Sequence, residues 1–198
     1  MSAMPTPTAI RIIREEHQAL SAMLSSLHLL LRQHRQDGTP ARFDVLRAML
    51  FYIDEFPERL HHRKETDLLF PLIRARSDSA GEILEKLDRD HGVGERAIRD
   101  LEHTLLSWEM LGDSRRDGFE QAVERYLSFY LKHMQLEEEV VLPLAQQVLE
   151  PADWAVLDDA FSENRDPLTG HPPSAEYEQL FSRIVRTAPA PIGLGGAA

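Results

Sequence analysis

Two short segments carry the same pattern of chemically useful side chains. Residues 61–72 read HHRKETDLLFPL and residues 133–144 read HMQLEEEVVLPL. Each has a histidine, a glutamate four residues on, a proline six beyond that, and then a leucine. On a helix a four-residue step returns to the same face, so His61 with Glu65 and His133 with Glu137 each project side by side, about 6 Å apart along the axis. That is the spacing at which two side chains converge on one metal ion or span two. Two further histidines lie on apolar faces: His17, between Ile13 and the pair Leu20 and Leu24, and His91, between Leu87 and Ile98. Both imidazoles should point inward. His62 is one step round the helix from His61 and is a further candidate.

The donors are nitrogen and oxygen only. The chain has no cysteine, which removes disulfides, thiolate metal sites, iron–sulfur ligation and cysteine nucleophiles together. Several imidazoles and carboxylates in one buried layer suit a pair of iron or manganese ions, with the carboxylates bridging and offsetting positive charge. At about six ligands per ion, five histidines, two bridging glutamates and one bridging oxo or hydroxo group leave roughly one place open. A redox-active pair with an open place could take dioxygen, peroxide or nitric oxide.

Four long helices must position these residues. Apolar residues recur at three- and four-residue steps from Thr8 to about Gln36, where QDGTP stops the run. A second run covers about Phe43 to Arg76 and is expected to kink, because Pro57 and Pro71 remove backbone donors within it. A third begins after Ser79-Ala80-Gly81-Glu82, which has capping-box spacing, and ends at Gly112. A fourth runs from about Ser114 to Glu150 and carries Pro143. Short polar loops join them, so the predicted fold is all-α, an antiparallel up-down four-helix bundle over residues 8–150. Residues 151–198 read as a C-terminal helical extension: a short helix near Asp153 to Phe161, a turn-rich loop, a helix from Ser174 to Thr187 and a flexible Pro/Gly-rich tail.

The helix lengths test whether the ligands meet. His17 lies 19 residues before the predicted end of its helix, and His61 lies 18 after the start of the next. At about 1.5 Å per residue both reach the same height. The same counting brings His91 and His133 to that layer, with the step from the second helix to the third the loosest.

The order His, HHxxxE, His, HxxxE resembles the hemerythrin-like, or HHE cation-binding, family. The resemblance covers about residues 8–148, and FPERLHHRKETDLLFPLI and HMQLEEEVVLPLA look like its bacterial members. It implies iron as the metal, with His17, His61, Glu65, His91, His133 and Glu137 as ligands and the two glutamates bridging. His62 matches a position where some members carry a second ligand on that helix. The third helix departs from true hemerythrins: they offer HxxxH, and here HGVGE supplies Glu95. That counts against reversible dioxygen carriage. Glu138 rivals Glu137, but the internal echo favours the four-residue spacing, which leaves Glu138 and Glu139 as solvated charges.

Other residues are secondary. Tyr126 and Tyr130 share the face of His133 and are candidate hydrogen-bond donors to a ligand, with core packing the alternative. Gly92 and Gly94 beside His91 imply room for an exogenous ligand, a close helix approach or a kink. His28 is too far from His17 to share its metal, and His34, His103 and His171 read as surface or loop residues.

The function expected is a non-haem di-iron protein that binds or turns over dioxygen, peroxide or nitric oxide, with a peroxide- or nitric-oxide-processing activity left open. The alternative is an iron- or redox-responsive interaction module without turnover. A third reading is a structural bundle with incidental metal affinity. The formal charge of −11 repels phosphate backbones and anionic membranes, which argues against both as partners. A homodimer or another protein partner stays open. With no apolar leader and no span approaching about 20 apolar residues, a cytoplasmic location is expected.

Overall fold

A computed structural model describes residues 6–194, and among these every regular element is helical. Helix α1 is Thr8–Asp37, closed by Gly38 in the left-handed conformation that a residue without a Cβ adopts freely. Helix α2 is one unbroken run over residues 43–76, and α3 is Gly81–Leu111. Helix α4 covers residues 116–148 after a single turn at Asp113–Arg115. Then come α5, Pro151–Ser162, and α6, Glu178–Thr187. Helix α1 packs on α2 and α4, and α3 packs on α2 and α4. None of the described helices is long and apolar enough to cross a membrane.

The prolines shape α2 and α4 differently from a simple kink. A proline lacks the N–H that the carbonyl four residues back requires. In α2 and α4 the turn before the proline widens to the π form, at Glu65–Leu69 ahead of Pro71 and at Glu137–Val141 ahead of Pro143. The Phe70 N–H donates to the Glu65 carbonyl and the Leu142 N–H to the Glu137 carbonyl, each five residues back. A longer π segment, Asp54–His61, surrounds Pro57. Each widened turn near Pro71 and Pro143 therefore begins at a buried glutamate of the repeated pattern. Such bulges inside α-helices gather at functional sites.

Two apolar clusters form the core, with a polar layer between them. One contains Leu24, Leu27, Met49, Tyr52, Leu105, Trp108 and Phe119, and the other Ile10, Ile13, Phe70, Ile73, Leu87 and Leu142. Along α1 the second cluster comes first and along α2 it comes last; α3 repeats the order of α1, and α4 that of α2. The extension completes both clusters. Leu157 and Phe161 of α5 join the second, and Phe181 and Ile184 of α6 join the first. Polar ties add to this docking: Asp158 accepts a 2.7 Å bond from the Ala9 N–H, and the Arg76 guanidinium pairs with Asp153 and Glu150.

Three local expectations differ. The Ser79 hydroxyl pairs with Ser77 at 2.8 Å and does not cap α3, whose N-cap is Ala80. Residues Ser174 to Tyr177 form a turn, so α6 starts four residues later than its polar-apolar pattern suggests. His34 is buried near the end of α1, beside Thr39 and Pro40 of the following loop, where a surface residue was expected.

Candidate metal centre

Glu65 and Glu137 occupy the middle of the polar layer, and both are essentially inaccessible to solvent. Glu65 Oε1 lies 3.2 Å from His61 Nε2, and its Oε2 lies 3.4 Å from His91 Nε2. Glu137 Oε2 lies 3.3 Å from His17 Nε2, and its Oε1 lies 3.3 Å from His133 Nε2. Each carboxylate thus points one oxygen at each of two groups of imidazoles. On one side the Nε2 atoms of His17 and His61 are 3.2 Å apart, and on the other those of His91 and His133 are also 3.2 Å apart. Donor atoms of His17, His61, Glu65 and Glu137 lie within 4.8 Å of one another, as do those of Glu65, His91, His133 and Glu137. His62 gathers with His91 and His133 by the same measure. All seven residues expected at the site are therefore brought together, and Glu65 and Glu137 are shared between its halves.

The outer ring nitrogens show which way the imidazoles are turned. His17 Nδ1 is 2.9 Å from Glu138 Oε1, His61 Nδ1 is 2.7 Å from Glu16 Oε2, and His62 Nδ1 is 3.1 Å from Glu58 Oε2. His91 Nδ1 is 2.8 Å from the Thr66 hydroxyl. A carboxylate only accepts, so these contacts place the proton on Nδ1 and turn the Nε2 lone pair of His17 and His61 inward. Two lone pairs facing each other across 3.2 Å repel unless a proton or a cation lies between them. All four oxygens of Glu65 and Glu137 are buried without a hydrogen-bond donor. Such a set is costly on its own and is satisfied by positive charge.

The donor spacing fits a metal pair. With bonds of about 2.1 Å, neighbouring donors on a six-coordinate ion lie about 3 Å apart. Neighbouring inward-facing atoms are 3.2 to 3.7 Å apart within each half. The donors are imidazole and carboxylate, the set that suits iron or manganese.

Charge in the metal-free polypeptide is arranged to the same end. Burial opposes ionisation of both glutamates, but the surrounding imidazoles outweigh it and hold Glu65 down at about 2 and Glu137 well below the usual carboxylate range. Burial works to lower the histidines, yet the carboxylates win at His17 and His61, and at His91, which rises to about 9. His62 goes the other way: burial and then the neighbouring histidines push it well down, so it is a neutral donor. Protons on the raised imidazoles balance the carboxylates, and a bound metal ion would displace them.

Several surrounding residues were not singled out from the sequence. Glu58 is buried and accepts hydrogen bonds from Tyr126 at 2.6 Å and from Tyr130, as well as facing His62. Its spacing of four before His62 was a readable signal. The phenols therefore act on the Glu58 carboxylate, and Tyr130 also stacks on the His62 ring, 5.3 Å between centroids and 3° from parallel. Gly94 makes this arrangement fit, since a Cβ there would come within 1.7 Å of the Tyr130 hydroxyl. Of the readings for this glycine, close approach of α4 to α3 is the one realised. Glu138 is not simply solvated: it is partly buried and holds His17. Glu16 holds His61, and Glu95 stays on the surface with Arg99.

The sequence pattern of the hemerythrin HHE cation binding domain matches residues 8–145. No curated protein and no solved structure matches the chain.

Proposed function

From the premise that the chain belongs to the hemerythrin HHE cation-binding family, we propose that it is a non-haem di-iron protein that binds or turns over dioxygen, peroxide or nitric oxide. The observation that carries this reading is the pair of shared carboxylates, whose four buried oxygens lack donors and divide between two groups of imidazoles. The group implied is two iron ions with an oxo or hydroxo bridge. His17 and His61 would hold one, His62, His91 and His133 would hold the other, and Glu65 and Glu137 would serve both. When bound, such a pair supplies one-electron steps and an open place for a small ligand.

The reading also takes α1–α4 as an antiparallel up-down bundle. The alternating order of the two apolar clusters along successive helices supports it.

The residues of the chain do the rest. Glu16, Glu58 and Glu138 accept from the outer Nδ1–H of His61, His62 and His17, and the Thr66 hydroxyl meets His91 Nδ1, so these contacts orient the rings. The apolar clusters on either side exclude bulk water. The His17/His61 half offers one protein donor fewer than the other, which supports the reading that the open place would lie on that side.

Metal analysis of protein from iron-replete cells tests the proposal. Two irons per chain and a visible charge-transfer band that changes when the reduced protein meets dioxygen are expected. Less than one iron and no such band would overturn it.

A second reading has its own observation. Glu16 Oε2 accepts from both His61 Nδ1 and Asn164 Nδ2, which links a proposed ligand directly to the C-terminal extension. The chain would then report iron or redox state through the extension to a partner. Peroxide consumption separates the two, because a sensor turns over little.

A further inference from the structure

Between the His17/His61 half of the site and the extension lies a small cavity, large enough for about one water-sized molecule. Leu20, Phe56 and Leu60 give it apolar walls, and His17, His61 and Asn164 also line it. Asn164 follows α5 and lies outside the stretch that matches the family. It is 6% exposed. Its Nδ2 donates to Glu16 Oε2 at 3.0 Å, and that bond fixes which end of the amide is the oxygen. The Oδ1 at the other end is buried with no donor. A buried amide oxygen without a donor is costly, so a chain that keeps one beside a cavity has a use for it.

We propose that Asn164 is a specificity-determining residue of this cavity, and that its Oδ1 accepts a hydrogen bond from the O–H end of a small hydrogen-bearing oxygen ligand such as hydrogen peroxide, one oxygen of which would fill the cavity. The inference rests on the di-iron reading, which places the open position on the same side. Glu16 and Asp166 also line the cavity, but Glu16 Oε2 already accepts from His61 and Asn164, and the Asp166 oxygens accept from Tyr52 and the Leu168 N–H, which leaves Asn164 Oδ1 as the buried lining acceptor without a donor. A ligand with only lone pairs, such as azide, would instead set them against Oδ1. Glu16 holds the amide in register with His61, so the oxygen keeps its place relative to that half of the site. The extension thus supplies the cavity's acceptor, and the four long helices supply the metal ligands.

The test uses the full-length, iron-loaded, oxidised protein and two probes. Azide affinity is read by equilibrium optical titration, and hydrogen peroxide is mixed in stopped flow to read the rate of the first optical change. Asn164→Ala should weaken the peroxide response about fivefold and leave azide unchanged or tighter, the scale of one neutral hydrogen bond. Asn164→Asp keeps an acceptor but loses the amide donor to Glu16, and should keep the preference for peroxide over azide. If Asn164→Ala leaves the ratio of the two responses at the wild-type value, the inference is overturned. Equal loss of the ratio in both variants also overturns it, because the tie to Glu16 would then be what matters. If wild-type protein binds iron normally, failure belongs to this inference alone; if it binds none, the di-iron reading fails first and takes this one with it.

Discussion

Replacing Gly94 by alanine should destabilise the protein, although the same change in an exposed helix interior normally helps. Alanine gains about 1 kcal/mol over glycine in a helix. At Gly94 the new Cβ would lie 1.7 Å from the Tyr130 hydroxyl oxygen, 2.7 Å from its Cζ and 3.0 Å from Glu58 Oε1. Tyr130 is fully buried, stacked on His62 and bonded to Glu58, so it has nowhere to go without giving up those contacts. Overpacking of this kind costs about 1–3 kcal/mol, and loss of a hydrogen bond to a carboxylate about 1.5–3 kcal/mol. The net effect should be a loss of about 2–4 kcal/mol, or a fall in Tm of roughly 5–15 °C for a chain of this size. Gly92 is the control two residues away, where a Cβ meets only the Arg96 guanidinium at an ordinary 3.7 Å. Gly92→Ala should be neutral or stabilising by about 0.5–1 kcal/mol. Urea and thermal unfolding of both variants in chelator, with circular dichroism, measures the difference free of metal effects. Adding Tyr130→Phe to Gly94→Ala removes the nearest atom and should restore part of the loss. If Gly94→Ala is as stable as Gly92→Ala, the account of how α3 and α4 approach at the site is wrong.

Glu65→Ala or Glu137→Ala should abolish binding of both ions, because each carboxylate serves both halves, whereas His62→Ala should impair one ion first; metal analysis and calorimetric titration distinguish these outcomes. Stability of the metal-free protein should fall at alkaline pH. The His91 pKa is raised to about 9 from an ordinary 6.5, so its protonation stabilises the fold fully below about 6.5 and ceases to as pH rises through about 9. Metal-loaded protein, with that proton already displaced, should lack this transition in a pH series of urea melts. Asp166 gives the acid-side counterpart: burial lifts its carboxyl to about 6, so the folded state holds the proton more tightly than the unfolded chain. Stability should therefore drop by up to about 3 kcal/mol as pH rises from about 4 to 6, and Asp166→Asn should flatten that slope.

What the sequence determined by itself is what a helix makes periodic. A step of four residues fixes His61 beside Glu65 and His133 beside Glu137 without any knowledge of the rest of the chain, and matched helix lengths bring His17 and His91 to their height. The same rule makes Glu58, four residues before His62, its neighbour on the helix face. What the prolines do was only half legible. The missing N–H of Pro71 and Pro143 is evident in the sequence, but whether the helix breaks or widens depends on the packing around it, and here each widens into a turn that starts at Glu65 or Glu137. Tertiary structure alone decided which imidazole nitrogen faces inward, because that depends on Glu16, Glu138 and Thr66 reaching the outer nitrogen from their own places in the fold. It decided the meaning of Gly94, which comes from a phenol on another helix. It also placed Asn164 on Glu16, 148 residues apart in sequence. Helical periodicity is a property of neighbours along the chain and can be read from it; contacts between distant segments depend on how apolar faces pack, and no local spacing records them.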